Sequence, residues 1–371
     1  MRVGVPSEIK SNEFRVGLTP GSVREYVARG HDVHVQSGAG NGIGADDNAY
    51  LQAGARILPD AEEVFARSEM IVKVKEPQPD EWARLREGQI LFTYLHLAPD
   101  PEQTNGLMAS GCSAIAYETV TDRHGSLPLL APMSEVAGRL SIEAAGMAMR
   151  SNNGGVGLLL GGVPGVSPAR VVIIGGGVVG TQAARMAVGV GAEVTIIDRS
   201  LGRLRQLDDM FGGRVRTRAS TIEAIEQETS DADLVIGAVL VPGASAPKLL
   251  AADWLRCMKP KTVLVDVAID QGGCFETSKP TTHDNPTYVV DGVVHYCVAN
   301  MPGAVPKTSS LALNNATLPY GLTLADKGLG ALGDDQHLMA GLNVHRGKIT
   351  NRLVAESLSK DFVLPEIALN L

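Results

Sequence analysis

Cysteine is scarce in this sequence of 371 residues, and its four cysteines form no Cys-x-x-Cys pair. Disulfide frameworks and cysteine-based metal sites need cysteines that are more numerous or more closely spaced. We therefore expect reduced thiols in a cytoplasmic protein that has no metal site.

Basic clusters, long apolar runs and a secretion signal are absent as well. The 33 Lys and Arg residues are outnumbered by 41 Asp and Glu residues, and the net charge is −8, which argues against binding to nucleic acid or to an acidic membrane. The least charged stretch, residues 151–169, is rich in Gly, Asn and Pro. It cannot form the apolar helix of ~20 residues that spans a bilayer. The first residues, Met1–Pro6, are typical of a strand and not of a signal peptide.

Glycine is abundant, and three of the 42 glycines stand in an informative pattern. A β-branched apolar run leads into Gly175-x-Gly177-x-x-Gly180, an alanine-rich helical stretch follows, and a second apolar run ends on Asp198. This order is typical of a dinucleotide-binding βαβ unit. Gly175 would permit the tight turn, Gly177 the approach of a pyrophosphate to the helix start, and Gly180 close packing of helix on strand.

Asp198 favours NAD as the cofactor. Its carboxylate can accept hydrogen bonds from the adenosine ribose, and its charge would repel the 2′-phosphate of NADP. Arg199 and Arg203 are nearby and could serve such a phosphate, but the acid at the end of the strand outweighs them. The alternative is a glycine-rich turn that binds nothing.

The length of the chain predicts two domains, both of the α/β class. Strand and helix patterns alternate along the first third, which indicates a parallel sheet covered on both faces. We expect two Rossmann-like domains with parallel sheets. A NAD-binding domain of residues 131–306 would be inserted into a discontinuous substrate domain of residues 1–130 and 307–371. Helices near 133–150 and 307–325 would cross between the domains, with the ligands in the cleft.

Four polar residues stand where a substrate site is expected. Arg15 follows the first strand and could grip a carboxylate, although it could also be a solvated surface arginine. Lys75 and His96 follow apolar runs, at the strand ends where ligands of α/β sheets bind. Lys73 should share a strand face with Lys75, and both cannot easily be buried. The imidazole of His96 suits proton exchange, and Asp270 follows the strand expected near the nicotinamide. Each of these residues also has a non-functional interpretation. Lys75 could be a lysine at the rim of the sheet, His96 a structural histidine, and Asp270 an aspartate that caps a loop.

Several longer motifs give the chain a family resemblance over essentially its whole length. It resembles the alanine dehydrogenases, and also the NAD(H)-binding part of proton-translocating transhydrogenases. The motifs are Phe14-Arg15-Val16 with Thr19-Pro20, Lys73-Val74-Lys75-Glu76-Pro77, Leu95-His96-Leu97, Pro132-Met133-Ser134-Glu135-Val136-Ala137-Gly138 and Val267-Ala268-Ile269-Asp270-Gln271-Gly272-Gly273.

The resemblance implies a reaction and a set of site residues. Such enzymes interconvert L-alanine with pyruvate and ammonium, using NAD, and are typically homohexamers. Arg15 and Lys75 would hold the substrate, and His96 and Asp270 would be the acid–base residues. The positions that fall where the family contacts NAD are Ser134, Gly175, Gly177, Val178, Val179, Gly180, Asp198, Arg203, Ser220, Val239, Leu240, Val267, Ala268, Ile269, Asp270, Lys279, Val298, Ala299, Asn300 and Met301.

Three other functions stay open from the sequence. A transhydrogenase-type NAD(H)-binding subunit would need a docking partner and a membrane domain. A related opine or lysine dehydrogenase would take a larger substrate. A non-catalytic NAD-binding protein would bind NADH and turn over no amino acid, but it would not need Arg15, Lys75, His96 and Asp270 together.

Overall fold

The protein consists of two α/β units, seen in a computed structural model that describes residues 1–239 and 246–371. The first unit is discontinuous and comprises Met1–Met133 and Val305–Leu371, and the second comprises Ser134–Ala304. The predicted α/β class is therefore confirmed. No helix in the described ranges is long and apolar enough to cross a membrane.

The N-terminal part of the first unit alternates strands and helices. Its strands are β1 (Arg2–Val5), β2 (Asp32–Gln36), β3 (Arg56–Leu58), β4 (Met70–Val72), β5 (Ile90–Thr93) and β6 (Ser113–Ala116). Its helices are α1 (Pro20–Ala28), α2 (Asp47–Gln52), α3 (Ala61–Arg67), α4 (Pro79–Trp82), α5 (Pro101–Ser110) and α6 (Ala131–Ala148), the last of which continues into the second unit.

The second unit repeats the same alternation. Its strands are β7 (Arg170–Ile174), β8 (Glu193–Asp198), β9 (Val215–Ala219), β10 (Leu234–Gly237), β11 (Val263–Asp266), β12 (Thr287–Val290) and β13 (Val293–Tyr296). Its further helices are α7 (Val178–Gly189), α8 (Leu201–Phe211) and α9 (Ile222–Ser230).

The C-terminal segment returns to the first unit. It contains α10 (Pro306–Lys327), α11 (Gly330–Asp334), α12 (Gln336–Met339), β14 (Leu342–His345), β15 (Lys348–Ile349), α13 (Arg352–Ser357) and α14 (Pro365–Leu369).

Local sequence signals explain where several helices begin and end. Thr19 caps α1 by accepting the Ser22 N–H, and Asp100 caps α5 in the same way. Both helices have proline at their first position, where the fixed φ suits the helix and no hydrogen bond is lost. Gly111 ends α5 with a left-handed φ of 69°.

The sheet of the first unit has eight strands in the order β15-β14-β6-β5-β4-β1-β2-β3. The strands β1 to β6 are parallel, but β14 pairs antiparallel with β6, and β15 antiparallel with β14. The second sheet has the order β12-β13-β11-β10-β7-β8-β9, with only β12 antiparallel. The expected parallel sheets are therefore confirmed, and each sheet also has antiparallel pairing at one edge.

A two-residue turn joins the hairpin at the antiparallel edge of each sheet. Arg346 and Gly347 join β14 to β15 with φ of 45° and 77°, and Asp291 and Gly292 join β12 to β13 with φ of 46° and 81°. Two consecutive positive φ angles are typical of the hairpin turn whose twist matches that of paired strands.

The central strands are buried on both faces, because helices pack on each side of each sheet. Every residue of β4, β5 and β6 is buried, as is every residue of β10 and β11. The second unit has two core clusters, one that contains Ile173 and Val265 and another that contains Val172 and Leu264. Alternate residues of one strand thus enter different cores, as in a doubly wound sheet.

Candidate active site

Three of the predicted site residues follow neighbouring strands of the first sheet. Arg15 follows β1, Lys75 follows β4 and His96 follows β5, and these strands are adjacent and parallel in the order β5-β4-β1. Since the carboxyl ends of parallel strands lie at one edge of the sheet, all three side chains belong to the same edge.

Arg15 is buried, with only 3% of its surface exposed, so the alternative of a solvated surface arginine is wrong. Its Nε and Nη2 donate to the two carboxylate oxygens of Glu13 at 2.6 and 2.5 Å, and Nη1 lies 3.1 Å from the sulfur of Met133. Burial acts to lower the pKa of Arg15, but the hydrogen bonds and charge of Glu13 outweigh it and raise the pKa. The guanidinium therefore stays charged in a dry environment, as carboxylate binding requires.

Lys75 lies beside a carboxylate and is largely buried. Its Nζ is 3.3 Å from an oxygen of Glu76, and 14% of the Lys75 side chain is exposed. Burial acts to raise the pKa of Glu76, but Lys75 and Lys10 outweigh it and lower the pKa to about 2.

Lys73 differs from the expectation that it shares a strand face with Lys75. The strand β4 ends at Val72, and Lys73 is completely buried with its ammonium 3.0 Å from Glu8 and 2.6 Å from Glu81. Burial raises the pKa of Glu8, and the charge of Lys73 opposes this rise. Glu8 also accepts the N–H of Val74 at 2.7 Å, so this ion-paired group fixes the segment that leads to Lys75.

His96 has an unusual backbone conformation and an accessible ring. Its φ is +49°, and 46% of its side chain is exposed. Glu118 accepts the backbone N–H of His96 at 2.6 Å and that of Leu95 at 3.1 Å, which holds the left-handed turn. The exposed imidazole can exchange protons with a ligand or with water.

Tyr94 connects Arg15 with His96. Its ring lies parallel to the imidazole of His96, with the ring centres 5.8 Å apart. Burial raises the pKa of Tyr94, and the nearby Arg15 partly offsets this rise. Arg15 and His96 thus both lie near one buried aromatic side chain.

The glycine turn of the second unit has the geometry that the sequence predicts. Gly175 has a φ of +104°, and a Cβ on Gly180 would come within 1.8 Å of the Gly175 carbonyl oxygen. The helix α7 begins after Gly177 without a side-chain cap, so the N–H groups of its first turn can bind an anion. A Cβ on Gly177 would meet no atom within 4 Å, so the approach to these groups is open. The turn therefore fits a pyrophosphate.

Asp198 and Arg203 both contact this turn. Asp198 accepts the N–H of Gly176 at 2.7 Å through one oxygen and the N–H of Ser200 at 2.8 Å through the other. Arg203 donates to the Gly176 carbonyl oxygen and to Thr181 Oγ1, both at 2.7 Å. Arg203 therefore stabilises the glycine turn. Asp198, the residue expected to bind the ribose of NAD, lies beside the same turn.

The other predicted cofactor positions mostly follow parallel strands of the second sheet. Val239 follows β10, the stretch Val267 to Asp270 follows β11, and Val298 to Met301 follow β13. β7 and β10 are adjacent and mark the point where the strand order reverses, which is where dinucleotides bind in such sheets. Leu240 lies outside the described residues.

Burial divides these positions. Val178, Asp270 and Lys279 are exposed, and Ser134, Val179, Ser220, Val239, Val267, Ala268, Ala299 and Asn300 are half-buried. The side chains of Ile269, Val298 and Met301 are buried, so a ligand could meet these three positions only through the backbone. Asp270 lies in a helical turn, Ile269–Gln271, beyond β11, and not directly at the end of a strand.

Sequence reasoning missed the acidic residues that support the site. Glu13 was detectable, because it stands two positions before Arg15. Glu8 and Glu118 contact residues 65 and 22 positions away, and Glu81 contacts Lys73 from a separate helix, so the sequence carried no local signal for these three.

Both units match known protein families, and the whole chain is similar to known enzymes. Residues 4–137 match the family Alanine dehydrogenase/PNT, N-terminal domain, and residues 141–352 match Alanine dehydrogenase/PNT, C-terminal domain. The chain is 60% identical over 364 residues to the alanine dehydrogenase of Halomonas elongata, covering 98% of each chain. It is 54% identical over 371 residues to the alanine dehydrogenase of Bacillus subtilis, covering 100% of this chain and 98% of that relative.

Solved structures are similar over nearly the whole chain. An L-alanine dehydrogenase superposes with a TM-score of 0.94 at 53% identity, covering 97% of this chain and 99% of that one. A transhydrogenase from Sinorhizobium meliloti has a TM-score of 0.80 at 23% identity, covering 95% and 99%. The second likeness concerns the fold alone.

Proposed function

Because the chain belongs to the alanine dehydrogenase/PNT family, we propose that Arg15, Lys75, His96 and Asp270 are the residues that carry out its reaction. The protein is an NAD-dependent amino-acid dehydrogenase, and it converts L-alanine reversibly into pyruvate and ammonium. The observation that carries the assignment of Arg15, Lys75 and His96 is the common edge of β1, β4 and β5, where two cations and an exposed imidazole follow adjacent parallel strands. The assignment of Asp270 rests on the family resemblance.

Substrate binding falls to the two cations. Arg15 holds the substrate carboxylate through parallel hydrogen bonds, since its guanidinium is charged, buried and fixed by Glu13. Lys75 binds the oxygen that becomes the carbonyl of pyruvate and stabilises the negative charge that develops there. Tyr94 packs against His96 and takes no part in the chemistry.

Proton transfer falls to His96, and Asp270 assists it. NAD, held at the glycine turn by the residues named below, would supply the acceptor for the hydride of the alanine Cα. His96 takes a proton from the water that adds to the resulting iminium carbon, and it returns a proton to the departing nitrogen. Asp270 positions this water or the ammonium. In the reverse direction the site must accept neutral ammonia, so the supply of the reactive form rises with pH, while the proton that amination consumes makes its equilibrium less favourable at alkaline pH.

The second unit holds the cofactor in this proposal, and the first unit holds the substrate. The residues at the glycine turn, Gly175, Gly177, Gly180 and Asp198, bind the pyrophosphate and the ribose. Asp198 gives NAD preference over NADP, since its negative charge lies beside the turn.

The direct test measures NADH formation by the purified chain with L-alanine and with a panel of other amino acids. We expect the highest kcat/KM for L-alanine, with serine and lysine far lower. Binding of NADH without turnover of any amino acid would contradict the assignment. So would hydride transfer that occurs only between two nucleotides.

Replacement of His96 tests the acid–base role. The His96→Ala variant should lose roughly 10²- to 10⁴-fold in kcat and keep its affinity for NADH. His124→Ala, at another exposed histidine of the first unit, is the matched control and should keep its activity. Near-normal turnover of His96→Ala would remove His96 from the mechanism.

The assembly and location are part of the same proposal. The family resemblance supports a homohexamer, and the four free cysteines suit the reducing cytoplasm. Light scattering should give the mass of six chains of 39.0 kDa. An active monomer would contradict the proposed hexamer.

A further inference from the structure

The loop that carries Asp270 is held from inside by a buried carboxylate. Asp266 is the last residue of β11 and has no exposed surface. One of its oxygens accepts the N–H of Ala268 at 3.0 Å. The other accepts the N–H of Cys274 at 2.8 Å and the hydroxyl of Ser278 at 2.5 Å. Asp266 therefore joins the beginning of the loop to its end.

A lysine holds the same loop from its exposed side. The ammonium of Lys248 donates to the carbonyl oxygens of Gly272 at 2.6 Å, Gly273 at 2.8 Å and Phe275 at 3.2 Å. These three groups follow Asp270 by two to five positions. The N–H groups of the loop thus meet a carboxylate, and its carbonyl groups meet an ammonium.

The loop leaves little room for other conformations. Gly272 and Gly273 have φ of 88° and 75°. A Cβ on Gly273 would come within 2.7 Å of the Asp266 carboxylate. The N–H groups of Gln271 and Gly273 both bond to the carbonyl oxygen of Ala268, at 2.9 and 3.1 Å. The direction of the Asp270 side chain therefore depends on contacts that Asp270 does not itself make.

We propose that Asp266 and Lys248 are positioning residues for the dehydrogenase reaction and that both act through Asp270. Neither residue touches the substrate. Their contribution is to fix the loop so that the Asp270 carboxylate meets the reacting groups, and a misplacement of about 1 Å at such a group costs on the order of 100-fold in rate. This inference rests on the proposed role of Asp270.

The first test replaces the buried carboxylate. Asp266→Asn puts an NH2 group where one acceptor oxygen stood, so the amide cannot accept all the loop donors. We expect kcat to fall on the order of 100-fold. The dissociation constant for NADH should rise by a much smaller factor.

A double-mutant cycle separates positioning from general damage to the fold. If Asp266 acts through Asp270, Asp266→Asn should cost little further in kcat when Asp270 is already Asn. A merely structural role would lower kcat by the same factor in both backgrounds and would overturn the proposal.

Lys248 provides a second test that leaves the core intact. Lys248→Met should lower kcat, as Asp266→Asn does. Lys248→Arg should keep most of the wild-type kcat, because a guanidinium can still donate to the carbonyl groups. Lys261→Met, at another exposed lysine of the second unit, is the matched control. Wild-type kcat in both Lys248→Met and Asp266→Asn would overturn the proposal.

The two hypotheses fail in different ways. If Asp270→Asn alone keeps the wild-type kcat, the proposed role of Asp270 is wrong, and the positioning role is wrong with it. If Asp270→Asn is impaired and both Asp266→Asn and Lys248→Met are normal, only the positioning role is wrong.

Discussion

Lys73 and Lys75 are separated by one residue, and both lie beside carboxylates, but they differ in exposure. Lys73 has no exposed surface and lies between Glu8 and Glu81, whereas Lys75 reaches the edge of the sheet beside Glu76. A buried charge is tolerated only when other charges and hydrogen bonds compensate for its lost hydration. Lys73 is thus part of the support of the site, and Lys75 is available to a ligand.

The stability of the first unit should depend strongly on Lys73. Lys73→Met removes the ammonium and leaves two buried carboxylates next to each other. We expect a loss of about 3–5 kcal/mol in the free energy of unfolding, the usual cost of removing one partner from a buried ion pair. Urea unfolding followed by circular dichroism measures this difference.

Lys360→Met is the matched control, because Lys360 is exposed in the same unit. It should change the free energy of unfolding by less than about 0.5 kcal/mol. Equal stability of Lys73→Met and Lys360→Met would show that the buried ion pairs contribute nothing.

The sequence could predict the residues of the site that follow recognisable strands, but not their partners. Lys75 and His96 stand directly after apolar runs, and Arg15 stands in the loop after the first strand, which made them visible. Glu118, in contrast, meets His96 from 22 positions away, and only the folded sheet brings the two together. Likewise, no local pattern distinguished the buried Lys73 from Lys75.

At the scale of elements, the packing of α7 on β7 depends on the absence of one side chain. Gly180 lies at the first turn of α7, and its missing Cβ lets the helix approach the backbone of Gly175. The close approach keeps the start of the helix at the glycine turn, where the pyrophosphate would bind. Another glycine of α7, Gly189, has open space where its Cβ would be.

These two glycines form a matched pair for mutation. Gly180→Ala should push α7 away from the turn, because its Cβ would overlap the Gly175 oxygen. We expect the dissociation constant for NADH to rise by at least roughly tenfold, since loss of one charge-assisted hydrogen bond costs about 1.5–3 kcal/mol. Isothermal titration calorimetry measures it.

Gly189→Ala should leave NADH binding unchanged. It should also stabilise the protein by up to about 1 kcal/mol, because alanine favours the helix more than glycine does. Equal NADH affinity in the two variants would contradict the role given to Gly180.

The parallel part of both sheets was predictable, whereas the antiparallel edges were not. Repeated strand and helix patterns indicate βα units directly. The strand β14 instead pairs with β6, more than 200 positions away, and its own two-residue turn to β15 contains Arg346, which is not a usual turn residue. The turn between β12 and β13 does carry a hairpin signal in the sequence, because Asp291-Gly292 is a dipeptide typical of such turns.

At the scale of the whole molecule, buried histidines make stability depend on pH. Burial lowers the pKa of His34, His295 and His345, and nearby arginine or lysine charges lower the values for His34 and His345 further. The unfolded chain therefore binds protons at these histidines more readily than the folded chain does. The contribution of these histidines to the free energy of unfolding is fully present above pH ~6.5, the usual pKa of histidine. It is lost progressively as the pH falls from that value toward their lowered pKa values in the folded chain.

Replacement of one such histidine should reduce this pH dependence. His345 accepts or donates one hydrogen bond with Ser113 at 2.8 Å, and asparagine can retain a polar contact there. In His345→Asn, unfolding between pH 5 and 6.5 should take up fewer protons, by up to about one. The slope of unfolding free energy against pH measures this number.

The exposed His124 again provides the control, and His124→Asn should keep the wild-type slope. An unchanged slope in His345→Asn would mean that His345 titrates alike in the folded and unfolded chains.

The interrupted first unit has a consequence for biosynthesis. Its sheet contains β14 and β15 from the last thirty residues of the chain, alongside β6 from the first third. A ribosome that makes the chain from its N-terminus has therefore released all of Ser134–Ala304 before it supplies those final strands. The inserted unit can fold while translation continues, but the surrounding unit can complete its sheet only after β14 and β15 are made. Until then β6 is an unpaired edge strand, to which a chaperone or a neighbouring nascent chain can bind.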